Sequence, residues 1–292
     1  MTKLLLIDAN SLVHRCFHAL PPLTTLDGKP INAVYGLSSI LLKILREHHP
    51  DYVAAAFDRP EPTFRKEAYK EYKAHRPPTA DNLIPQLIEA HKVFEKFGIK
   101  VLEKPRFEAD DIIGTLAELF KQSPELAEGQ IIIFSGDKDN LQLVEKNKVV
   151  VELLKTGVSK TVTYSESLFL QEYSFSPSQL IDFKALIGDA SDNIPGVSGV
   201  GPKSATDLIK EYGTIEKIYE EIGLIPKKTL REKLEQNKES AFLSKRLATI
   251  KRDVPLEVSL EDLKINYFNK EELKKYFGEL GFKSLVERLV NN

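Results

Sequence analysis

The segment Ile131–Asp139, IIIFSGDKD, is a strand that runs straight into acid. Ile131 to Phe134 is a short, continuously apolar, β-branched run, the composition of a strand buried on both faces. Three other stretches share its build: Lys3 to Ile7 (KLLLI), Tyr52 to Phe57 (YVAAAF) and Ile99 to Leu102. Between them, Ala33 to Glu47, Leu83 to Phe97 and Ala109 to Phe120 carry apolar residues at helical spacing. Strands alternating with helices predict an α/β fold, a doubly wound parallel sheet with helices on both faces. From about Ser165 the strand signals fade into short helical stretches broken by Pro and Gly. The chain is therefore read as an α/β domain over 1–165 and a mostly helical domain over 166–292. No low-complexity linker separates them, so they are expected to pack directly.

Bulk properties narrow the class. The chain has 292 residues, 42% hydrophobic and 29% charged, which is ordinary for a globular protein. No apolar run approaches the roughly 18 residues of a membrane span. Cys16 is the only cysteine, and MTKLLLIDAN lacks the make-up of a signal peptide. A soluble protein of a reducing cytoplasm is expected. The formal charge of −2 argues against a polyanion partner only if every acid stays free.

In an open parallel sheet, ligands bind beyond the carboxyl ends of the strands. Asp8 follows the first strand, Asp58 the second, and Asp137 with Asp139 follow IIIFSG. Glu108, Asp110 and Asp111 (EADDIIGTLA) open the helix after the remaining strand. Each acid alone has a plain structural explanation as a turn former, an N-cap or a partner of the helix dipole. Together they conflict with that explanation. Two like charges about 4 Å apart repel by about 1 to 4 kcal/mol between solvent-like and surface-like dielectric, and several would crowd one rim. A cation must hold them, and hard oxygen ligands without Cys or paired His select Mg²⁺ or Mn²⁺ over Zn²⁺. Asp189 and Asp192, in IGDASDNIP, add acids three apart that a helical turn would place on one side. So many carboxylates imply two ions, and a metal pair suits in-line phosphodiester hydrolysis.

Gly196 to Ser204 (GVSGVGPKS) superficially matches a phosphate-binding P-loop, but Pro202 interrupts the Gly-Lys step and no strand precedes it, so ATP binding is rejected. What remains is a tight turn between two helical stretches, Gln179 to Leu186 and Ser204 to Tyr212. Gly196, Gly199, Gly201, Lys203 and Ser204 there would present N–H groups and a charge to a DNA phosphate without reading sequence. Phe64 to Arg76 (FRKEAYKEYKAHR) follows the acidic rim, and interleaves Phe64, Tyr69 and Tyr72 with Arg65, Lys66, Lys70, Lys73 and Arg76. Aromatics among cations suit a single strand held by stacking and phosphate contact.

These motifs, IDANSL, AAAFDRPEPTFRKEAYKEYKAHRPP, EADDIIGTLA, FSGDKDNLQLV and IGDASDNIPGVSGVGPKSA, occur in an order that resembles the 5′-nuclease domain of bacterial DNA polymerase I, of the flap endonuclease superfamily. The resemblance spans nearly the whole chain. It implies a two-metal 5′-3′ exonuclease and flap endonuclease in replication and repair. Asp8, Asp58, Glu108, Asp110 and Asp111 would surround one metal, and Asp137, Asp139, Asp189 and Asp192 the other. A helix-hairpin-helix would lie at about 186–212, with K⁺ bridging carbonyls and a phosphate, and a helical arch at about 64–83. Lys73 and Arg76 would stand beside the scissile phosphate. DNA with a 5′ flap, nick or free 5′ end, and an RNA primer, are the implied partners of a monomer in the bacterial nucleoid. Family polymerases continue well beyond this length, so both an excised domain and a free-standing nuclease fit. A non-catalytic DNA-binding module and an RNA-directed nuclease of similar fold are the alternatives; the paired acidic groups oppose the first, and the glycine turn with YKAHR opposes the second.

Overall fold

Strand β1 (Lys3–Asp8) is wholly buried from Leu4 onward, and its side chains alternate between two cores. Leu4 and Leu6 enter one, Leu5 and Ile7 the other. That two-residue period explains why both faces of the sheet must be covered. The computed structural model describes residues 1–265 and 268–290.

After β1 come α1 (Ala9–Ala19), α2 (Asn32–His48), β2 (Tyr52–Ala56), α3 (Phe64–Ala68), α4 (Ile84–Lys96) and β3 (Lys100–Leu102). Then follow α5 (Ala109–Phe120), β4 (Gln130–Ser135), β5 (Val149–Thr156) and β6 (Lys160–Tyr164). The six strands lie in the order β3-β2-β1-β4-β5-β6. All neighbours are parallel except β5 and β6. The chain builds outward from β1 to β3, then returns to place β4 on the other side of β1. This reversal creates a crevice at the carboxyl ends of β1 and β4, where such sheets bind ligands. The four expected strands are present; α1, β5 and the antiparallel edge β6 are additional.

The helical half contains α6 (Glu166–Tyr173), α7 (Leu180–Ile187), α8 (Pro202–Tyr212), α9 (Ile215–Glu220), α10 (Lys228–Gln236) and α11 (Lys238–Ala248). It shares one core with α5 and the Leu4 face of the sheet, so the two halves pack directly. The last helices, α12 (Lys270–Glu279) and α13 (Lys283–Val290), leave that half. Leu273 and Phe277 of α12, Phe282 between the two helices and Leu285 of α13 join the opposite core with α1, α2 and α4. Among the described residues, no helix is long and apolar enough to cross a membrane.

The segment expected as a helical arch is mostly not helical. After the five residues of α3 it continues as turns, with Lys73 in the left-handed region at φ 54°. Pro77 and Pro78 deny the backbone two donors, and residues 71–76 bond instead to the loop after α7.

Candidate active site

Asp8 ends β1 and caps α1 in one step: its Oδ1 accepts from the Ser11 N–H at 3.0 Å, and its Oδ2 accepts from the Ser135 hydroxyl at 2.6 Å. Ser135 ends β4, so this bond joins the two strands on either side of the crevice. Asp58 follows β2 and accepts from the Ala109 N–H at 2.7 Å and the Asn10 amide at 3.1 Å. Asp137 caps a short 3₁₀ turn through the Asp139 N–H at 2.9 Å. Asp110, in the first turn of α5, accepts from the Asn140 amide at 2.7 Å. The capping roles are therefore real, and the same carboxylates line a common cleft. That cleft, about 260 Å³, is lined by Asp8, Asp58, Glu108, Asp110 and Asp137, with Asn10, Ser11, His14, Lys73 and Arg76.

Two lysines cross-link the acids. Lys73 Nζ lies 3.0 Å from Glu108 and 3.9 Å from Asp192. Lys184, in α7, inserts its ammonium between Asp139 and Asp189. Arg76 reaches Asp192 at 2.6 Å, and the Tyr72 hydroxyl sits 3.1 Å from both Glu108 and Asp192. Asp189 and Asp192 belong to a turn closed by a bridge between Asp189 and Ile194. They do not share one side of a helical turn: Asp189 pairs with Lys184, while Asp192 faces Glu108 across Tyr72. The division of acids implied by the resemblance is thus not the division of side-chain partners seen here.

Three expected site residues serve the scaffold. Asp111 is turned away from the cleft and fully buried. Both its oxygens meet the Arg65 guanidinium at 2.7 Å, and it also accepts from the N–H groups of Glu108 and Lys251. It has no face left for a metal. Arg65, expected at DNA, is buried by the same contact and by the carbonyls of Leu247 and Thr249. Tyr72, also expected at DNA, is buried with its hydroxyl between acids. Lys66 remains half-buried and donates to the Tyr72 carbonyl at 3.0 Å. The residues not anticipated are Asn10, Ser135, Asn140 and Lys184. Lys184 carried one signal: it is the lone cation of LIDFKALI, a segment apolar but for it and Asp182.

The acids are short of positive charge. Burial, helped by Asp137 and Asp58, pushes Asp8 up to about 7 despite its hydrogen bonds from Ser135 and Ser11. Asp139 is pushed up to about 7 by burial, which Lys184 only partly offsets. Asp110 is raised well above the usual range by burial and then by Asp8, Asp137 and Asp139. Burial and Glu108 raise Asp58. Asp189 is the exception: burial raises it, but Lys184 and Ser191 outweigh that and hold it low. Among the described residues, no three acidic, His or Cys side chains already close on one point as an ion cage. The donor set nonetheless fits a hard divalent ion: it is all carboxylate oxygen, and Asp8, Asp58, Asp110 and Asp139 are charged only at a cost that a cation would relieve.

The glycine turn joins α7 to α8. Gly188, Gly196 and Gly199 have positive φ, and a Cβ on Gly196 would meet the Gly188 nitrogen at 2.3 Å. Gly201, by contrast, borders open space and precedes Pro202, the first residue of α8. Gly201 and Lys203 are exposed and Ser204 half-buried, at a helix N-terminus. The Gly199 carbonyl already accepts from Lys233 at 2.9 Å, an ammonium where K⁺ was expected.

Fold and cleft together define a class: a doubly wound α/β domain with a carboxylate-lined cleft at its sheet switch point, roofed by Lys73 and Arg76 and packed against a helical half. Comparison with known proteins agrees. Residues 3–174 match the 5′-3′ exonuclease N-terminal resolvase-like domain, and residues 175–271 match the 5′-3′ exonuclease C-terminal SAM fold. The chain belongs to the 5′-3′ exonuclease family. It is 37% identical over 289 residues to a 5′-3′ exonuclease of Aquifex aeolicus, covering 99% of this chain and 96% of that one. It is 46% identical over 289 residues to DNA polymerase I of Caldicellulosiruptor bescii and 42% over 287 to that of Bacillus subtilis, covering 98% of this chain. It spans about a third of the length of those polymerases, 33% and 32%. Among solved structures, the T5 D15 protein co-crystallised with metal ions aligns with TM-score 0.70 at 20% identity, over 84% of this chain and 89% of that one. The Rad2 catalytic core with DNA substrate aligns with TM-score 0.60 at 18% identity, over 96% and 87%. These two likenesses concern the fold.

Proposed function

We propose that the chain is a structure-specific 5′-nuclease that hydrolyses DNA phosphodiesters at flaps, nicks and 5′ ends, and removes RNA primers, during replication and repair. The observation that carries this reading is the acid cleft at the ends of β1, β2 and β4, completed by Asp189 and Asp192 from the helical half. Asp8, Asp58, Glu108, Asp110, Asp137, Asp139, Asp189 and Asp192 would hold two divalent ions, Mg²⁺ first and Mn²⁺ as substitute. Bound there, the ions would supply an activated water and charge compensation at the phosphate. Lys73 and Arg76, above the cleft, place positive charge where the phosphoryl oxygens become more negative as one P–O bond forms and another breaks. The turn at 196–204, as a helix-hairpin-helix, would hold duplex backbone through Gly196, Gly199, Gly201, Lys203 and Ser204, with Lys66 near the single strand. The protein would act as a monomer.

Incubation of a 5′-labelled flap duplex with Mg²⁺ or with EDTA tests the reading. Release of the labelled flap only with Mg²⁺ is expected; absence of cleavage in both overturns it.

A further inference from the structure

A second pocket lies behind the cleft, with the Arg65 side chain as the partition. The Arg65 guanidinium is 3.6 Å from Glu108 on the cleft side, and the same residue lines a pocket of about 530 Å³ on the other. Its apolar wall is Phe64, Phe242 and Leu247, and its rim carries Arg246 and Lys251. The one acid in the lining, Glu216, is neutralised by Lys245 at 2.6 Å. Arg246 and Lys251 are exposed, and neither ammonium nor guanidinium has a carboxylate partner among the described residues. Phe64 already attracts cations: the Arg65 guanidinium stands 4.6 Å and the Lys251 ammonium 5.9 Å from its ring centre. An apolar aromatic wall under two unpaired cations fits a ligand that is flat at one end and anionic at the other.

We propose that this pocket receives one nucleotide of the displaced single 5′ strand, base against Phe64 and Phe242, phosphate on Arg246 and Lys251. The proposal rests on the 5′-nuclease reading. Phe64 and Arg65 begin the segment that continues through Lys73 and Arg76 over the cleft, so a strand passing that segment meets the pocket on its far side. A nicked duplex has no such strand and leaves the pocket empty. The pocket therefore confers flap preference without contributing to chemistry.

The test compares affinity for a nicked duplex with affinity for the same duplex bearing a flap of about ten nucleotides, by fluorescence anisotropy in Ca²⁺. Phe242→Leu keeps volume and removes the ring; Arg246→Ala alters an exposed side chain and leaves the fold untouched. Each should weaken flap binding about tenfold and leave nick binding at the wild-type value. Arg246→Ala should also lower the flap salt slope by about 0.7, one single-strand phosphate. Equal loss on both duplexes, or none on either, overturns the proposal. A flap-specific loss in a protein that cleaves neither duplex in Mg²⁺ would refute the nuclease reading and leave the pocket standing.

Discussion

Arg65 and Asp111 face each other through two contacts of 2.7 Å, with side chains 3% and 0% exposed. The pair ties the base of the cationic segment to α5, and the Leu247 and Thr249 carbonyls tie it to the exit of α11. Removing one partner strands the other charge in the interior. Asp111→Ala should cost about 3 to 5 kcal/mol of stability, read by urea denaturation. A variant of wild-type stability that had lost divalent-ion binding would restore Asp111 to the metal site.

Glu152 of β5 is buried and 2.7 Å from the His48 imidazole at the end of α2. Burial alone would raise its pKa, but hydrogen bonds from His48 and Thr161 outweigh this and hold it below the usual range. A depressed carboxyl contributes stability above its unfolded value, about 4.3, and loses it as pH falls through the folded value. Thermal melts from pH 7 to pH 3 should show a steeper acid loss for wild type than for Glu152→Gln. Parallel curves would remove Glu152 from the acid transition.

The glycines of the α7–α8 turn should separate fold from ligand. Gly196→Ala combines positive φ with a backbone clash and should destabilise by at least about 1 to 3 kcal/mol. Gly201→Ala meets open space and should melt like wild type. Lys203→Ala should lower the slope of log K against log salt for duplex DNA by roughly 0.9. An unchanged slope places Lys203 away from the backbone.

Lys73 combines a left-handed backbone with a 3.0 Å contact to Glu108. Burial would lower its pKa, but Glu108 and Asp192 prevail and raise it, so it stays charged. Lys73→Ala should reduce single-turnover cleavage at saturating enzyme by about 10² to 10³ while flap affinity changes little. Full recovery of rate at saturation would make Lys73 a phosphate holder only.

The strands and acidic ends were legible because both signals are local. KLLLI and IIIF are continuous apolar runs, and each acid follows its strand by a few residues. Partners distant in sequence were not. Nothing in EADDII says that Asp111 turns inward to Arg65 while Asp110 faces the cleft, because that choice depends on residues 247–251 packing behind α5. Tyr72 read as a stacking residue on composition, whereas the loop after α7 folds over and buries it. A helical arch at 64–83 is what the resemblance implies; the bonds of Lys73 and Arg76 to Asp192 draw that segment down as turns. The α12–α13 return is not legible in the sequence, because helical periodicity does not say which core a helix joins.

The proposed site draws on both halves of the chain, and the double variant Asp189→Ala, Asp192→Ala tests that division most directly. Single-turnover cleavage of a flap duplex in Mg²⁺ should be abolished, while flap affinity measured in Ca²⁺ stays near wild type. Cleavage at a near wild-type rate would contradict the account, showing that the sheet-end acids suffice without the helical half.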